Sequence, residues 1–87
     1  MALLAVQYLV RDYAAWQSVF DAVEELRRDW GVLEESSHQL AGDPSTVLAL
    51  FRFATVAQAR GFLTNREFRA AMEHAGVEGV ARVEIYA

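Results

Sequence analysis

Two segments of this chain are apolar at nearly every position, and they limit the possible folds more than any other feature. Leu3 to Val10 is interrupted only by Gln7 and by the phenol of Tyr8, and Thr46 to Phe53 contains Arg52 as its one charged residue. A strand that is buried on both faces is continuously apolar, whereas a half-exposed strand alternates. These two segments are therefore predicted to be the inner strands of a sheet.

Two further segments are predicted to be outer strands. Val80 to Tyr86 alternates strictly between two faces. Leu33 to Ala41 has little β propensity, but it precedes the turn Gly42-Asp43-Pro44-Ser45 and then a strong strand. Because such a turn joins the two strands of a hairpin, Leu33 to Ala41 is predicted to be an edge strand.

The first helical region is predicted between the first two strands. Asp12 is a suitable N-cap, since its carboxylate can accept from N–H groups of the first turn. Gly31 suits the left-handed position that closes a helix. Between them one apolar stripe recurs at helical spacing, and we expect it to be core: Trp16, Val19, Phe20, Val23, Leu26 and Trp30.

The second helical region is predicted to consist of two pieces. Thr55 with Gln58 forms a capping box, so a helix begins at Val56 and continues to about Leu63. Asn65 is a fresh N-cap, and the helix that follows is expected to stop at Gly76. The order of elements is thus β-α-β-β-α-β, with the second helix interrupted once.

This order predicts an α+β domain of the ferredoxin-like type over residues 1–87, with a four-stranded antiparallel sheet. Right-handed crossovers place both helical regions on one face of such a sheet. The inner strands are apolar on both faces, yet no residues remain to cover the second face. We therefore predict a homodimer in which two sheets face each other around a cavity.

Composition excludes several classes of partner. The net charge of −4 argues against non-specific nucleic-acid binding, which depends on positive charge. No apolar run approaches the ~20 residues that span a bilayer, and no basic segment precedes a hydrophobic stretch at the start. We expect a cytoplasmic protein with no membrane or nucleic-acid partner. The absence of cysteine excludes disulfides and thiolate chemistry.

The sequence contains no motif for a metal or a cofactor. His38 and His74 are far apart, and neither belongs to a zinc-binding pattern. There is no phosphate-binding loop, nucleophile elbow or dinucleotide fingerprint. No metal and no cofactor are predicted.

Three stretches together carry a resemblance to a known family. They are Arg11-Asp12-Tyr13-Ala14-Ala15-Trp16 leading into Val19-Phe20-Asp21, the Asp43-Pro44 turn, and Glu67-Phe68 to Met72 with Ala75-Gly76-Val77. The chain resembles the small dimeric α+β barrel proteins related to the antibiotic biosynthesis monooxygenases. The resemblance implies a homodimer and a fold shared by cofactor-free monooxygenases of aromatic polyketides, haem-degrading enzymes, isomerases and cyclase-like proteins.

The chain departs from the haem-degrading branch of that superfamily. Those members use an Asn on the first strand with a Trp and a His on the second helix. Here the first strand has no Asn and the second helical region has no Trp, and His74 alone does not restore the pattern. No catalytic residue is carried over from the resemblance.

Strand parity divides the candidate residues between two faces. An entirely apolar set suits the helix-covered face: Ala81, Val83, Ile85, Val47, Ala49, Phe51 and Phe53. The opposite set mixes Leu48 and Leu50 with polar groups, as the lining of a ligand cavity does. Its predicted substrate-binding residues are Tyr8, His38, Arg52, Glu84 and Tyr86, although Gln7 and Tyr8 are equally possible on the first strand.

Two of these residues are candidates for catalysis, and each has a structural alternative. Arg52 on an inner strand needs a carboxylate, a ligand anion or water, because an unpaired buried charge costs several kcal/mol. Glu84 is its expected partner. Histidine side chains in general change charge near neutral pH, which makes His38 a candidate acid or base, but a histidine on an edge strand is often only solvated.

Two functions fit the sequence. In the first, the protein binds a flat aromatic or polyketide-like metabolite and acts as a cofactor-free monooxygenase, isomerase or cyclase through positioning and acid–base help. In the second, it is a non-catalytic dimerisation or regulatory module in which Arg52 and Glu84 are locked in a pair. The sequence does not decide whether the chain is an enzyme.

Overall fold

The computed structural model describes residues 1–87 as four strands and four helices. The elements are β1 (Ala2–Val10), α1 (Tyr13–Ala22), α2 (Glu24–Asp29), β2 (Glu34–Leu40), β3 (Asp43–Phe53), α3 (Val56–Leu63), α4 (Arg66–His74) and β4 (Val77–Tyr86). The order in the sheet is β2-β3-β1-β4, and every neighbouring pair is antiparallel. The ferredoxin-like prediction is confirmed, with β1 and β3 as inner strands.

The helix boundaries follow the predicted caps. Asp12 accepts from the backbone N–H of Ala14, and Thr55 accepts from that of Gln58. Asn65 accepts from the N–H of Phe68, so the second helical region restarts there as predicted. The backbone of Gly31 has a φ of 100°, which glycine adopts without strain.

The first helical region differs from the prediction because it breaks at Val23. This residue ends α1 and begins α2, and the turn changes the direction of the apolar stripe. Trp30, predicted to be core, is consequently 46% exposed, whereas Arg27 is 1% exposed. The repeat of apolar residues alone could not show this exchange, since it assumes one uninterrupted helix.

The core lies between the helices and one face of the sheet. Strand residues of a single parity supply that face: Ala2, Leu4, Val6, Tyr8 and Val10 from β1, and Val47, Ala49, Phe51 and Phe53 from β3. Trp16, Phe20, Phe62 and Phe68 pack on them from α1, α3 and α4. Both helical regions therefore cover the same face, as predicted.

The opposite face of the sheet is uncovered within one copy of the chain. Leu9 and Leu48 on this open face are 43% and 36% exposed, and Leu3, Ala5 and Leu50 are half-buried. The inner strands thus present apolar side chains to solvent. This surface is the one that motivated the prediction of a dimer.

Strand β4 contains two irregularities in its pairing with β1. Gln7 pairs with Arg82, but Tyr8 pairs with Val80, so Ala81 is an extra residue in the ladder. The second shift lies between Leu9 and Val10. Because each extra residue reverses the parity of the strand, the assignment of Ala81 to the helix-covered face was wrong, and Val80 occupies that face instead.

No helix of the structure is both long enough and apolar enough to cross a lipid bilayer.

Candidate functional site

A cavity of about 560 Å³ lies on the helix-covered side of the sheet, between β1 and β4 on one side and α3 and α4 on the other. Its walls are mainly apolar. The apolar lining residues are Val6, Tyr8, Phe62, Leu63, Phe68, Met72, Val77, Val80 and Val83. This volume lies within the ~300–1,000 Å³ range of small-molecule sites.

The cavity exists because the helices do not fully cover β4. Val6 and Tyr8 on the neighbouring inner strand are buried, whereas Val80 and Val83 on β4 are 53% and 44% exposed. The bulge at Ala81 brings Val80 into line with Tyr8 on the cavity side. The result is an apolar site that opens to solvent along the edge strand.

Tyr8 supplies a polar group to the wall of the cavity. Its side chain is 4% exposed, and burial, not a hydrogen bond, is the main influence on its hydroxyl. Burial raises the pKa of Tyr8 well above its ordinary value, and the charge of Arg27 only partly opposes this rise. Tyr8 therefore keeps its proton and is available as a hydrogen-bond donor.

Three charged side chains line the rim. Arg69 and Glu73 lie one turn apart on α4, and Glu78 lies near the start of β4. None of them takes part in a salt bridge. The rim therefore presents one free guanidinium and two free carboxylates around an apolar interior.

Two buried polar atoms near this site have no partner. Asn65 is 3% exposed; its Oδ1 caps α4, but its Nδ2 makes no hydrogen bond. In the sequence it lies between Leu63 and Phe68, which line the cavity, but Asn65 itself is not a lining residue. Trp16, whose ring centroid is 6.1 Å from that of Tyr8, also has an unpartnered Nε1. A buried donor without an acceptor is unusual and requires an explanation.

The structure separates the sequence-predicted site residues. Tyr8 faces the helices and the cavity, so its assignment to the same face as His38 and Arg52 was wrong; its neighbour Gln7 lies on that open face instead. His38, Arg52 and Glu84 do not line the cavity. The cavity lies on the face for which only an apolar set was predicted.

The remaining predicted residues make local contacts outside the cavity. The sequence predicted that Arg52 pairs with Glu84, but Arg52 Nε lies 3.4 Å from Glu34 Oε2 instead. Glu34 is the cross-strand partner of Arg52. Glu84 instead pairs with Arg82 at 3.2 Å. His38 Nε2 lies 3.0 Å from Ser36 Oγ on an exposed strand.

Tyr86 is 51% exposed and close to Glu84. A hydrogen bond with the Glu84 side chain raises the pKa of Tyr86, with smaller contributions from burial and from the Glu84 charge. Four of the predicted site residues therefore lie outside the cavity and remain candidates only for a site that a partner would complete: His38, Arg52, Glu84 and Tyr86.

Sequence reasoning missed Arg69, Met72 and Val80 as cavity residues. Arg69 and Met72 lie within the predicted helix that begins after Asn65, for which no cavity role was predicted. Val80 was placed on the wrong face by assuming an unbroken alternation. Gly79, which directly precedes Val80, was the available signal, since glycine inside a strand often marks a bulge.

No protein-family sequence model matches the chain, and no curated protein sequence does so significantly. Solved structures do match. SnoaB, a cofactor-independent oxygenase from Streptomyces nogalater, superposes with a TM-score of 0.79 at 11% identity over 99% of this chain and 90% of its own. A Bordetella bronchiseptica protein, provisionally described as an antibiotic biosynthesis monooxygenase, gives 0.80 at 15% identity over 99% and 94%. One of the same description from Nitrosomonas europaea gives 0.73 at 18% identity over 100% and 97%.

The chain has the fold of the antibiotic biosynthesis monooxygenases. The resemblance that the sequence indicated is thus confirmed at the level of the fold. Because all these identities are below one fifth, this similarity establishes the backbone arrangement and leaves the chemistry to be argued from the site itself.

Proposed function

We propose that this chain binds a flat aromatic or polyketide-like metabolite in the cavity lined by Tyr8, and that it catalyses a cofactor-free oxygenation there. The observation that carries the proposal is the apolar cavity with one buried, proton-retaining phenol in its wall. Apolar walls with a few placed polar groups are the usual composition of small-molecule sites.

The polar group in the cavity wall defines the chemistry of the ligand. Tyr8 lines the cavity and presents a hydroxyl that stays protonated. This hydroxyl is a donor, so a ligand with a carbonyl or phenolate oxygen at its buried end satisfies it. Removal of water from the apolar cavity strengthens this hydrogen bond to a developing oxyanion.

A cofactor-free oxygenation requires that the ligand supplies all the electrons. Oxidation of a ring methylene to a ketone by O₂ is balanced without a cofactor: CH₂ + O₂ gives C=O + H₂O, with one oxygen atom in each product. The role of the protein is to orient the ligand and to stabilise the enolate or phenolate that reacts with O₂. Similarity in fold to SnoaB, a cofactor-independent oxygenase, supports this class of reaction.

Ligand-dependent thermal unfolding tests the binding half of the proposal. A ligand that binds only the folded chain raises the unfolding midpoint with its concentration. We expect midpoint increases with hydroxylated three-ring and two-ring aromatic compounds. Val80→Trp fills the rim and should abolish them, while Leu40→Trp should not, because Leu40 is similarly exposed (52% against 53%) but lies outside the cavity. The absence of a shift for any compound would overturn the binding proposal.

Oxygen consumption tests the catalytic half. For a ligand that binds, the chain should accelerate O₂ uptake and form the ketone in equal amount, with no hydrogen peroxide. Val80→Trp should remove the acceleration and Leu40→Trp should retain it. A ligand that binds but shows no accelerated uptake in the wild type contradicts the oxygenase assignment and leaves only a binding protein.

We further propose that a second copy covers the open face of the sheet. The exposed Leu9 and Leu48 lie on the central strands there, with Arg52 and Gln7 among them. The alternative function, a module locked by an Arg52–Glu84 pair, loses its main support because Arg52 contacts Glu34 of its own chain. We therefore propose a dimer that also binds a ligand, in preference to a dimer without one.

A further inference from the structure

The aromatic side chains of the core are of two chemical kinds. Tyrosine and tryptophan lose one electron to oxygen-derived radicals, whereas phenylalanine does not. The oxidisable rings of this cluster are adjacent to one another: Tyr8 is 6.1 Å from Trp16, and Trp16 is 5.9 Å from Tyr13, measured between ring centroids. They form one continuous series from the cavity wall at Tyr8 to the half-exposed first turn of α1 at Tyr13.

The hydrogen bonds of the three residues give this series a direction. A tyrosine or tryptophan is easier to oxidise where its proton can leave. Trp16 Nε1 has no acceptor within the chain, and the Tyr8 hydroxyl is desolvated by burial. The Tyr13 hydroxyl donates to Gln17 Oε1 at 2.6 Å in a half-buried position that water reaches. An oxidising equivalent that enters at Tyr8 is therefore most stable at Tyr13.

Packing alone does not account for Trp16. It is completely buried, and its unpartnered N–H costs about 1–3 kcal/mol relative to a satisfied group. A phenylalanine would stack on Phe20 without this cost, as other rings of the cluster do. Position 16 therefore carries an oxidisable ring although its buried N–H lowers the stability of the fold.

We propose that Tyr8, Trp16 and Tyr13 form an electron-transfer relay that carries oxidising equivalents from the cavity to the protein surface. The inference rests on the proposed function for its oxidant, a ligand peroxyl radical formed with O₂. Its benefit is protection of the cavity. Met72, which lines the cavity, would otherwise be converted to the polar sulfoxide.

The relay is balanced in electrons and protons. The peroxyl radical takes a hydrogen atom from the Tyr8 hydroxyl and becomes a hydroperoxide. Trp16 then passes an electron to the Tyr8 radical, which recovers a proton from solvent at the open side of the cavity. Tyr13 reduces Trp16 and releases its phenolic proton to water as it becomes a neutral radical. A thiol or ascorbate in solution donates a hydrogen atom to Tyr13 and restores it.

A covalently attached photooxidant tests the relay without relying on ligand binding. The chain contains no cysteine, so Val80→Cys provides a single attachment point for an anthraquinone maleimide. Val80 is exposed and is the cross-strand partner of Tyr8. After a light pulse we expect a transient tryptophan radical followed by a tyrosine radical, and a spin-trap adduct that peptide mapping locates on Tyr13.

Matched variants separate the relay from unspecific oxidation. Trp16→Phe should reduce the Tyr13 adduct to the background of a Ser45→Cys label, which lies at the exposed β2–β3 hairpin. Trp30→Phe, which changes an exposed tryptophan outside the series, should leave the adduct unchanged. If Trp16→Phe does not fold, Tyr13→Phe serves instead and should lengthen the lifetime of the Trp16 radical.

Three results would overturn the relay: no Tyr13 adduct in the wild-type background, an equal adduct from the Ser45 label, or a Trp16 radical lifetime unaffected by Tyr13→Phe. These outcomes are independent of the proposed function. A working relay in a chain that binds no aromatic ligand would refute the function alone, and a ligand-binding chain without the Tyr13 adduct would refute the relay alone.

Discussion

Arg27 and Glu35 form a two-point ion pair that fastens helix α2 to edge strand β2. Arg27 Nε lies 2.7 Å from Glu35 Oε1, and Nη2 lies 2.6 Å from Oε2. The third guanidinium nitrogen donates to the carbonyl of Phe20, whose ring lies 3.7 Å below the guanidinium carbon. The pair adds a side-chain attachment to the backbone pairing of β2 with β3, which consists of residues with low β propensity.

Glu35→Ala is expected to lower the free energy of unfolding by about 3–5 kcal/mol, because it leaves the buried Arg27 charge without its carboxylate. Urea unfolding monitored by fluorescence measures the change. Glu24→Ala is the matched control, since it removes an exposed helical partner of Arg28 and should cost less than about 1 kcal/mol. A double variant, Arg27→Met with Glu35→Leu, should recover most of the loss. Equal losses of stability in Glu35→Ala and Glu24→Ala would contradict the stabilising role of the Arg27–Glu35 pair.

Tyr8 predicts a loss of stability at alkaline pH. Its pKa is raised in the folded chain, so near pH 10 the unfolded chain begins to release this proton while the folded chain retains it. The unfolded state then binds fewer protons, and the free energy of unfolding falls as pH rises above about 10. Urea unfolding across this range should show a shallower decline for Tyr8→Phe than for the wild type. Tyr86→Phe, at an exposed position, should change the slope less; the reverse ranking would sink the assignment.

If a second copy covers the open face of the sheet, a charge placed on that face should prevent dimerisation, whereas a charge on the cavity side should not. Leu48→Asp should convert a dimer into a monomer of about half the mass, because it places a carboxylate in the proposed interface and removes apolar area. Val83→Asp is the control: Val83 is comparably exposed (44% against 36%) but lies on the cavity side. Light scattering behind a sizing column distinguishes them. A monomeric wild type at micromolar concentration, or two dimeric variants, would refute a dimer through this face.

Asn65 caps α4, since its Oδ1 accepts from the N–H of Phe68. Asn65→Ala removes this cap and is expected to lower the free energy of unfolding by about 0.5–2 kcal/mol. Asn65→Ser keeps an oxygen for the same N–H and should retain most of that stability, as urea unfolding measures. Equal losses in these two variants would show that the cap does not stabilise the chain.

Much of the fold was predictable from the sequence because its signals are local. The continuous apolar runs identified β1 and β3 as inner strands, and the turn at Gly42 identified β2 in spite of its composition. Caps at Thr55 and Asn65 located the interruption between α3 and α4. Each of these signals depends only on residues within one element or its immediate neighbours.

The site was less predictable because it depends on registers and breaks. Because of a one-residue bulge at Ala81, Val80 and not Ala81 lies on the helix-covered face, contrary to the prediction. Because of a turn at Val23, Arg27 is buried where Trp30 was expected to be. Neither event changes the apolar pattern by which faces are assigned. The cavity itself arises from incomplete coverage of β4 by α4, which is a property of the packing distance between elements and of no single segment.

The bulge in β4 also changes how this cavity can be altered. Removal of Ala81 would make Arg82 and Val80 neighbours in the chain while each keeps its partner on β1, so regular pairing would be restored and Val80 would stay on the cavity side. Because a bulge bends its strand and increases the local twist, the deletion would change the curvature of this wall and keep its lining residues. A single-codon deletion would therefore alter the shape of the site separately from its chemistry, which point substitution of the lining residues cannot do.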